Sequence, residues 1–508
     1  MPDASAPRHK PDAPPTLSHE LRSFAQLAGP MVVSRVGVAA LAFTDGVMLA
    51  RSSAEALAVH GLSESLMGRV LEVSMVAATA GLALAAQARA GGGAQAARVG
   101  TVWHNGLALA SGLGLAALLF SALGGPLLRA LGQPPELVSQ AALVIGLIGL
   151  SAWPALLGLV SGGLLESIGR ARTVVLAVVL ANTANIALNQ WLIFGGMGVP
   201  ALGVVGAATS TLVVRVLMAA GLLAVLWQAG RHGPAAVYGL RQRFGRAAWQ
   251  AGAEQRRRGA AAAATVGVLA LVSFGLPVMA GWLGAQALAQ MTALFLCLAP
   301  VMVVAWGLAD AAAVRIAAVA GSGPLAGADF HTTGWRLMAP PLALLALSGL
   351  VLATASEAVL RVVLGRPDLI ADVQPLLALG WLVAAGDTLS IVLGAMLRSL
   401  GVLRAPFVAQ ALGSLALLPL AALLAFGAGW HLHGLLVAHG GIALLRSVVL
   451  AVMFNRAARA HDRGCDRSSP QASSTFATPA AAALHAAAIP LPQPPSANPA
   501  APPAGRSP

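Results

Sequence analysis

Between Phe24 and Ala457 the chain is a succession of apolar runs of twenty residues or more, separated by short segments that carry most of the arginines. An α-helix needs about 20 apolar residues to cross the hydrocarbon of a bilayer. Such runs have no soluble solution, because each would have to hide its whole circumference. The spacing predicts about twelve spans by that length rule, at residues 24–50, 62–88, 104–130, 137–161, 173–195, 203–228, 260–283, 287–319, 336–364, 373–399, 405–429 and 434–457. Charged residues make up only 10% of the chain against 57% hydrophobic, where a soluble domain carries about 25% charge. The fold class is therefore an all-α polytopic membrane protein. The first run is too long for a signal-peptide core and is read as a retained span.

The formal charge of +13 could suggest a nucleic-acid partner. The basic residues alternate with spans, however, and Tyr238 is the only tyrosine, so basic–aromatic interleaving is missing. In a polytopic protein the arginine pattern reports topology. One set of connections holds Arg8, Lys10, Arg89, Arg98, Arg170, Arg172, the arginines of the 229–258 segment, Arg398, Arg404, Arg456 and Arg459. The other set holds Arg51, Arg129, Arg361 and Arg366. Both termini are expected in the cytoplasm of a cell bounded by an inner membrane, with membrane lipids as surroundings and the chain as a monomer. The expected organisation is a cytoplasmic tail at 1–21, an N-lobe of six spans at 22–228 and a basic cytoplasmic linker at 229–259. A C-lobe of six spans follows at 260–457, then a disordered cytoplasmic tail at 458–508, rich in alanine, proline and serine.

The halves repeat. GGLLESIGRAR (Gly162–Arg172) aligns with GAMLRSLGVLR (Gly394–Arg404), so that Gly162, Leu165, Ser167, Gly169 and Arg172 recur in the second copy, and the same interval carries Phe194-Gly195 onto Phe426-Gly427. With six spans per half the copies share orientation and form parallel repeats about an axis along the membrane normal, a device of transporters.

Asn182, Asn185 and Asn189 lie at i, i+3 and i+7 on one face of the fifth span. Carboxamides in hydrocarbon need partners or a wet cavity. The stripe is therefore either helix–helix glue, worth about 0.6–2 kcal/mol per residue, or the lining of a site for protons, ions or substrate. Asp45 in the first span and Asp387 near the middle of the tenth add carboxylates. Asp387 can alternatively be a structural hydrogen-bond hub. Arg35 is about 15 Å along the helix from Asp45, too far for direct pairing. Glu72 is a candidate partner for Arg35 from span two, although Arg69–Glu72 is an ordinary i, i+3 pair. Asp310 and Arg315 fall toward the cytoplasmic end of span eight. Pro30, Pro154, Pro277, Pro300 and Pro419 are candidate kinks.

These residues resemble the multidrug and toxic compound extrusion (MATE) family, in particular its bacterial NorM-like branch. The resemblance rests on NIALNQWLIFGGMGVPALGVVGAATST (Asn185–Thr211), on the first span with its early Pro30 and late Asp45, on the paired ends LAAQARAGG and VRIAAVAGSG, and on AAGDTLSIVLGAMLRSLGVLRAP around Asp387. It implies two lobes enclosing a V-shaped cavity. It further implies coupling through Asp45, Asn185 and Asn189 in the N-lobe and Asp387 in the C-lobe, with a span-six threonine at Thr209 or Thr211. Two departures argue against a sodium site in the C-lobe: a branch glutamate falls at Ala270, and a tyrosine falls at Val383.

The expected function is secondary antiport, with entry of H⁺, in preference to Na⁺, driving export of a small organic cation. No cofactor is expected, and no metal centre. The chain lacks the phosphate loop GxxxxGK[ST], and it lacks HExxH and GxSxG, so neither ATP-driven transport nor an embedded hydrolase is indicated. His431 and His433, at i, i+2 on an expected external turn, make poor metal ligands. The alternatives are a flippase or exporter of a lipid-linked or polysaccharide precursor, which Arg35 and Arg215 mildly favour, and a passive channel.

Overall fold

The computed structural model describes residues 17–196, 198–231, 238–242, 244–321 and 330–467. The N-terminal segment before Leu17, residues 232–237 and 243 of the expected linker, residues 322–329 and the chain beyond Arg467 lie outside the described residues. Among the described residues the chain is helical apart from an isolated bridge between Gly196 and Val199.

The first lobe contains α1 (Leu17–Ser52), α2 (Ala54–Ala90), α3 (Arg98–Ser121), α4 (Pro135–Ser167), α5 (Ala171–Phe194) and α6 (Gly203–Ala229). The second contains α7 (Ala253–Ser273, continued by Gly275–Trp282), α8 (Ala285–Gly321), α9 (His331–Val363), α10 (Pro367–Ser399), α11 (Arg404–Gly427) and α12 (His431–Arg467). Eleven of these are long and apolar enough to cross a membrane. The twelfth, α7, winds Arg256, Arg257 and Arg258 into its first turns and is interrupted at Phe274.

Several boundaries differ from the sequence reading: the third span, expected to reach 130, ends at Ser121, and two of the others have a local reason. Span two starts at Ala54 and not near residue 62, because the Ser53 hydroxyl caps it, accepting from the Ala56 amide at 2.9 Å, a contribution of about 1 kcal/mol. The helix then loosens into a π-turn at Glu64–Gly68. Span seven starts at Ala253, inside the expected linker, because glutamine, arginine and alanine are strong helix formers. The last helix runs to Arg467 instead of ending at 457. His431 and His433 belong to the first turn of that helix.

The sequence repeat is a structural repeat. After α4 the Arg170 amide donates to the Leu165 carbonyl at 2.7 Å, with Gly169 at φ +84°. After α10 the Val402 amide donates to the Leu397 carbonyl at 3.1 Å, with Gly401 at φ +78°. Both are left-handed glycine caps with the six-to-one bond that stops a helix. Glycine recurs because another residue would be strained at those angles.

Two cores fix how the halves meet. One runs through the first lobe and continues at the face where α1 ends into Leu288, Leu294, Leu376, Leu417 and Leu435 of the second. That far face is tied by polar contacts between lobes. The Trp282 indole donates to the Leu131 carbonyl at 2.6 Å, the Gln133 amide donates to the Val278 carbonyl at 3.0 Å, and Arg51 donates to the Val362 carbonyl. The other core sits at the near face, within the second lobe, and takes in Phe24 and Ala28 from the start of α1. Far-face packing is thus shared through one core. Near-face contacts between the lobes run through the two first helices, α1 against the second core and α7 against α2 and α3, where the Gln255 amide donates to the Val102 carbonyl at 3.2 Å.

The first helix of each half crosses to the second helix of the other. α1 lies along α8, where Gly307 faces Val32 and Gly46 faces Leu296, and α7 lies along α2, where Gly259 faces the Ala77 carbonyl. Small residues let these backbones approach closely, the usual means of helix association in lipid. Pro30, Pro154 and Pro300 lie inside otherwise continuous helices. Pro277 stands in the first turn of Gly275–Trp282, where a proline costs least. Four residues beyond Pro419 the helix loosens into a π-turn at Leu423–Gly427.

Candidate functional site

The Asn185/Asn189 edge of the α5 stripe meets α1 and α6 at a buried carboxylate. Asp45 is 6% exposed, and Asn185 and Asn189 are fully buried. The Asn189 amide donates to Asp45 Oδ1 at 2.6 Å, and the Thr211 hydroxyl donates to Asp45 Oδ2 at 2.6 Å. Asn189 Nδ2 also reaches Asn185 Oδ1 at 3.1 Å. Asn185 in turn donates to the hydroxyls of Ser210 at 3.3 Å and Thr211 at 3.5 Å. Each carboxylate oxygen therefore receives a neutral donor, and among the described residues no ion pair reaches Asp45. Asn189 Oδ1 is buried without a partner.

Helical spacing explains the convergence. Asn185 and Asn189 are one turn apart, so their amides stack along α5 and can bond to each other. On α6, Ser210 and Thr211 face this edge, while Thr209 turns its hydroxyl back to the Val205 carbonyl at 2.8 Å. The structure thus joins Thr211, and not Thr209, to the carboxylate. Asn182 stands apart. It donates to the Val178 carbonyl at 2.8 Å and to the Gly37 carbonyl at 3.4 Å, which makes it glue between α5 and α1. One turn beyond Thr211, Arg215 donates to the Ser151 hydroxyl on α4 at 2.7 Å. Glu64, in the π-turn of α2, and Asp45 are within its electrostatic reach, and His60 is within that of Asp45.

The second carboxylate has a different environment. Asp387 on α10 is paired through Oδ1 with Arg446 at 2.5 Å and through Oδ2 with His439 at 3.2 Å, both from α12. Arg446 also donates to the Ser390 hydroxyl at 3.1 Å, and Ser447 to the Gly386 carbonyl at 3.0 Å. Ala270 and Val383 are buried apolar residues in this lobe. The geometry is that of the hydrogen-bond hub weighed as the alternative from sequence. The sequence reading missed Arg446 and His439, though their seven-residue spacing within an apolar helix signals a shared inward face.

Two remaining candidates sit elsewhere. Arg35 bridges from α1 to Asp310 of α8 at 2.8 Å, and Glu72 pairs with Arg69 at 2.6 Å on its own helix. Glu72 is therefore not the partner of Arg35. The i, i+3 neighbour on the same helix claims it.

Comparison with known proteins follows the same outline. The MatE family model matches residues 30–191. A probable multidrug resistance protein NorM of Caulobacter vibrioides is 30% identical over 435 residues, spanning 82% of this chain and 88% of the relative. The multidrug resistance protein NorM of Burkholderia vietnamiensis is 28% identical over 433 residues, spanning 83% and 91%. Among solved structures, the inward-facing conformation of a multidrug resistance MATE family transporter superposes with a TM-score of 0.69 at 18% identity, over 84% of this chain and 95% of that one. An outward-facing conformation of a transporter so described gives 0.61 at 18% identity, over 87% and 97%.

Proposed function

This chain belongs to the MATE family, and from that premise we propose that it is an ion-coupled antiporter of the cytoplasmic membrane that exports small organic cations by alternating access. The observation that carries the proposal is Asp45, a carboxylate at 6% exposure held by neutral donors alone. A charge inside a membrane domain is costly and marks a functional path.

H⁺ fits the cluster better than Na⁺. A sodium ion takes oxygen ligands, whereas both oxygens of Asp45 face donors and the unpartnered acceptor at hand is Asn189 Oδ1. A proton needs no such shell. It converts an acceptor of the cluster into a donor facing Asn189 Nδ2 or Thr211 Oγ1, so a bond must turn or break. That gives a proton a means of shifting the balance between two packings of α1. The far face carries the shared core and the ties from Trp282, Gln133 and Arg51, and arginine bias is the argument for reading it as external. Entry of a proton from outside requires that face to open, and release of a cationic substrate follows the change at Asp45.

The lipid-precursor alternative would call for a free basic cavity. Of the two arginines that favoured it, Arg215 donates to the Ser151 hydroxyl and Arg35 is paired with Asp310.

The test is uphill export of tetraphenylphosphonium or ethidium in proteoliposomes under imposed H⁺ or Na⁺ gradients. Wild-type export should follow the H⁺ gradient, and Asp45→Asn should bind substrate yet lose accumulation. Coupling unaltered in Asp45→Asn would remove this carboxylate from the mechanism.

A further inference from the structure

The Arg35–Asp310 pair lies outside the Asp45 cluster, on one of the two surfaces where the first helix of a lobe runs along the second helix of the other. Arg35 Nε and Nη2 reach Asp310 Oδ2 at 2.9 and 2.8 Å. Beside the pair is a cavity of about 460 Å³ whose lining includes Pro30, Met31, Ser34, Arg35 and Asp310. Trp306 stands one turn before Asp310 on the same face of α8, and the Arg35 guanidinium lies 6.0 Å from its ring centroid. The matching contact of α7 with α2 sets Gly259 against Ala77 and Gly267 against Val73. The charged pair therefore does not follow from the repeat.

The carboxylate of Asp310 and the flexible thioether of Met31 line the cavity, and the indole of Trp306 stands beside it across the Arg35 guanidinium, a set that suits an organic cation. The carboxylate supplies charge and the indole supplies cation–π attraction. The thioether of Met31 adapts to differing shapes. In this structure the set already holds a planar cation, the guanidinium of Arg35. The two side chains are 49% and 39% exposed, so the pair is open to an incoming group. Arg398 on α10 adds positive charge within electrostatic reach of Asp310, so an arriving cation competes with Arg35 for the carboxylate.

We propose that Asp310 and Trp306 form a binding subsite for organic cations at the near face, in which Arg35 is an internal stand-in that the substrate displaces. The proposal rests on the transport reading above. Displacement also releases the polar tie between α1 and α8, so occupancy of the subsite loosens the lobes at the helix that carries Asp45.

The experiment is binding of radiolabelled tetraphenylphosphonium to the purified full chain in detergent, for wild type, Asp310→Asn, Asp310→Glu, Arg35→Gln and Trp306→Leu. A stand-in and a simple latch predict different signs. If Arg35 competes with substrate, Arg35→Gln tightens binding several-fold while Asp310→Asn weakens it about tenfold, or about 1.4 kcal/mol. Asp310→Glu should retain most of the affinity. Trp306→Leu, which leaves the ion pair in place, should weaken binding about threefold, and it carries the test if Asp310→Asn does not fold. Shifts of the same sign in Arg35→Gln and Asp310→Asn, or unchanged binding in Asp310→Asn or in Trp306→Leu, overturn the subsite alone. A wild-type chain that binds none of the cation overturns both the subsite and the transport reading.

Discussion

Each lobe sets an aspartate on an inward helix, Asp45 buried and the Asp387 side chain 22% exposed, and the two are treated in opposite ways. In the first lobe Asp45 is held by an amide and a hydroxyl at 2.6 Å each. In the second, Asp387 is held by a guanidinium at 2.5 Å and an imidazole at 3.2 Å. Neutral donors stabilise a carboxylate while leaving the net charge of the site to whatever arrives. A guanidinium neutralises it permanently, because arginine does not release its proton in proteins. Repeated architecture thus does not imply repeated chemistry. The repeat supplies two inward-facing positions, and the side chains opposite decide which one can respond to an ion.

The largest effect that would sharpen this contrast is on stability in the second lobe. Removing one partner of a buried pair leaves an uncompensated charge and costs about 3–5 kcal/mol. Arg446→Leu should therefore lower the thermal midpoint of the purified protein strongly, and Asp387→Asn added to it should recover a large part of the loss. A mild Arg446→Leu variant would mean that Asp387 is not neutralised by its neighbour, and the contrast between lobes would collapse.

The next effect is functional and belongs to the first lobe. Asp45→Asn keeps the size of the side chain and much of its hydrogen bonding, so its thermal midpoint should stay near wild type. Gradient-driven accumulation of ethidium should fall by about a hundredfold, or about 2.7 kcal/mol in coupling. Asp387→Asn, measured in the same vesicles, should keep most of its accumulation. Equal losses in the two variants would make the lobes functionally alike.

The threonines give a smaller and more local comparison. Thr211→Val removes a hydrogen bond to a charged group, worth about 1.5–3 kcal/mol, and should lower transport about tenfold. Thr209→Val removes a hydroxyl that is bonded back to its own helix, and should change transport less than twofold. Reversal of that order would mean that α6 presents a different face to Asp45.

These residues also show what a sequence of this kind reveals. Span number, the repeat and the asparagine stripe depend on length, periodicity and the cost of polar groups in hydrocarbon, all of which are local. The joining of Asp45 with Asn185 and Asn189 was implied only by the resemblance to the MATE family. Thr211 could not be separated from Thr209 because both are polar residues at one helix end. The distinction needs the rotation of α6 against α5. Arg446 was overlooked because an arginine in a span reads as a topological mark, and nothing along the chain says that Asp387 stands opposite. Arg35 found Asp310 only through the crossing of α1 onto α8, a contact between lobes separated by most of the sequence. Boundaries failed where local helix propensity overrode polarity, as in the arginine-bearing start of α7.

The smallest predicted effect serves as the control for all the others. Arg69 and Glu72 are also an arginine and a carboxylate within bonding distance, at 2.6 Å, but they lie on one helix with side chains 47% and 44% exposed. An exposed pair at this spacing contributes about 0.2–0.5 kcal/mol. Glu72→Gln should leave the thermal midpoint within about one degree and ethidium accumulation unchanged. If Glu72→Gln matched the stability loss of Arg446→Leu, burial would not be what separates a structural ion pair from an incidental one. The different fates assigned to Asp45 and Asp387 would then need a cause other than the partners that face them.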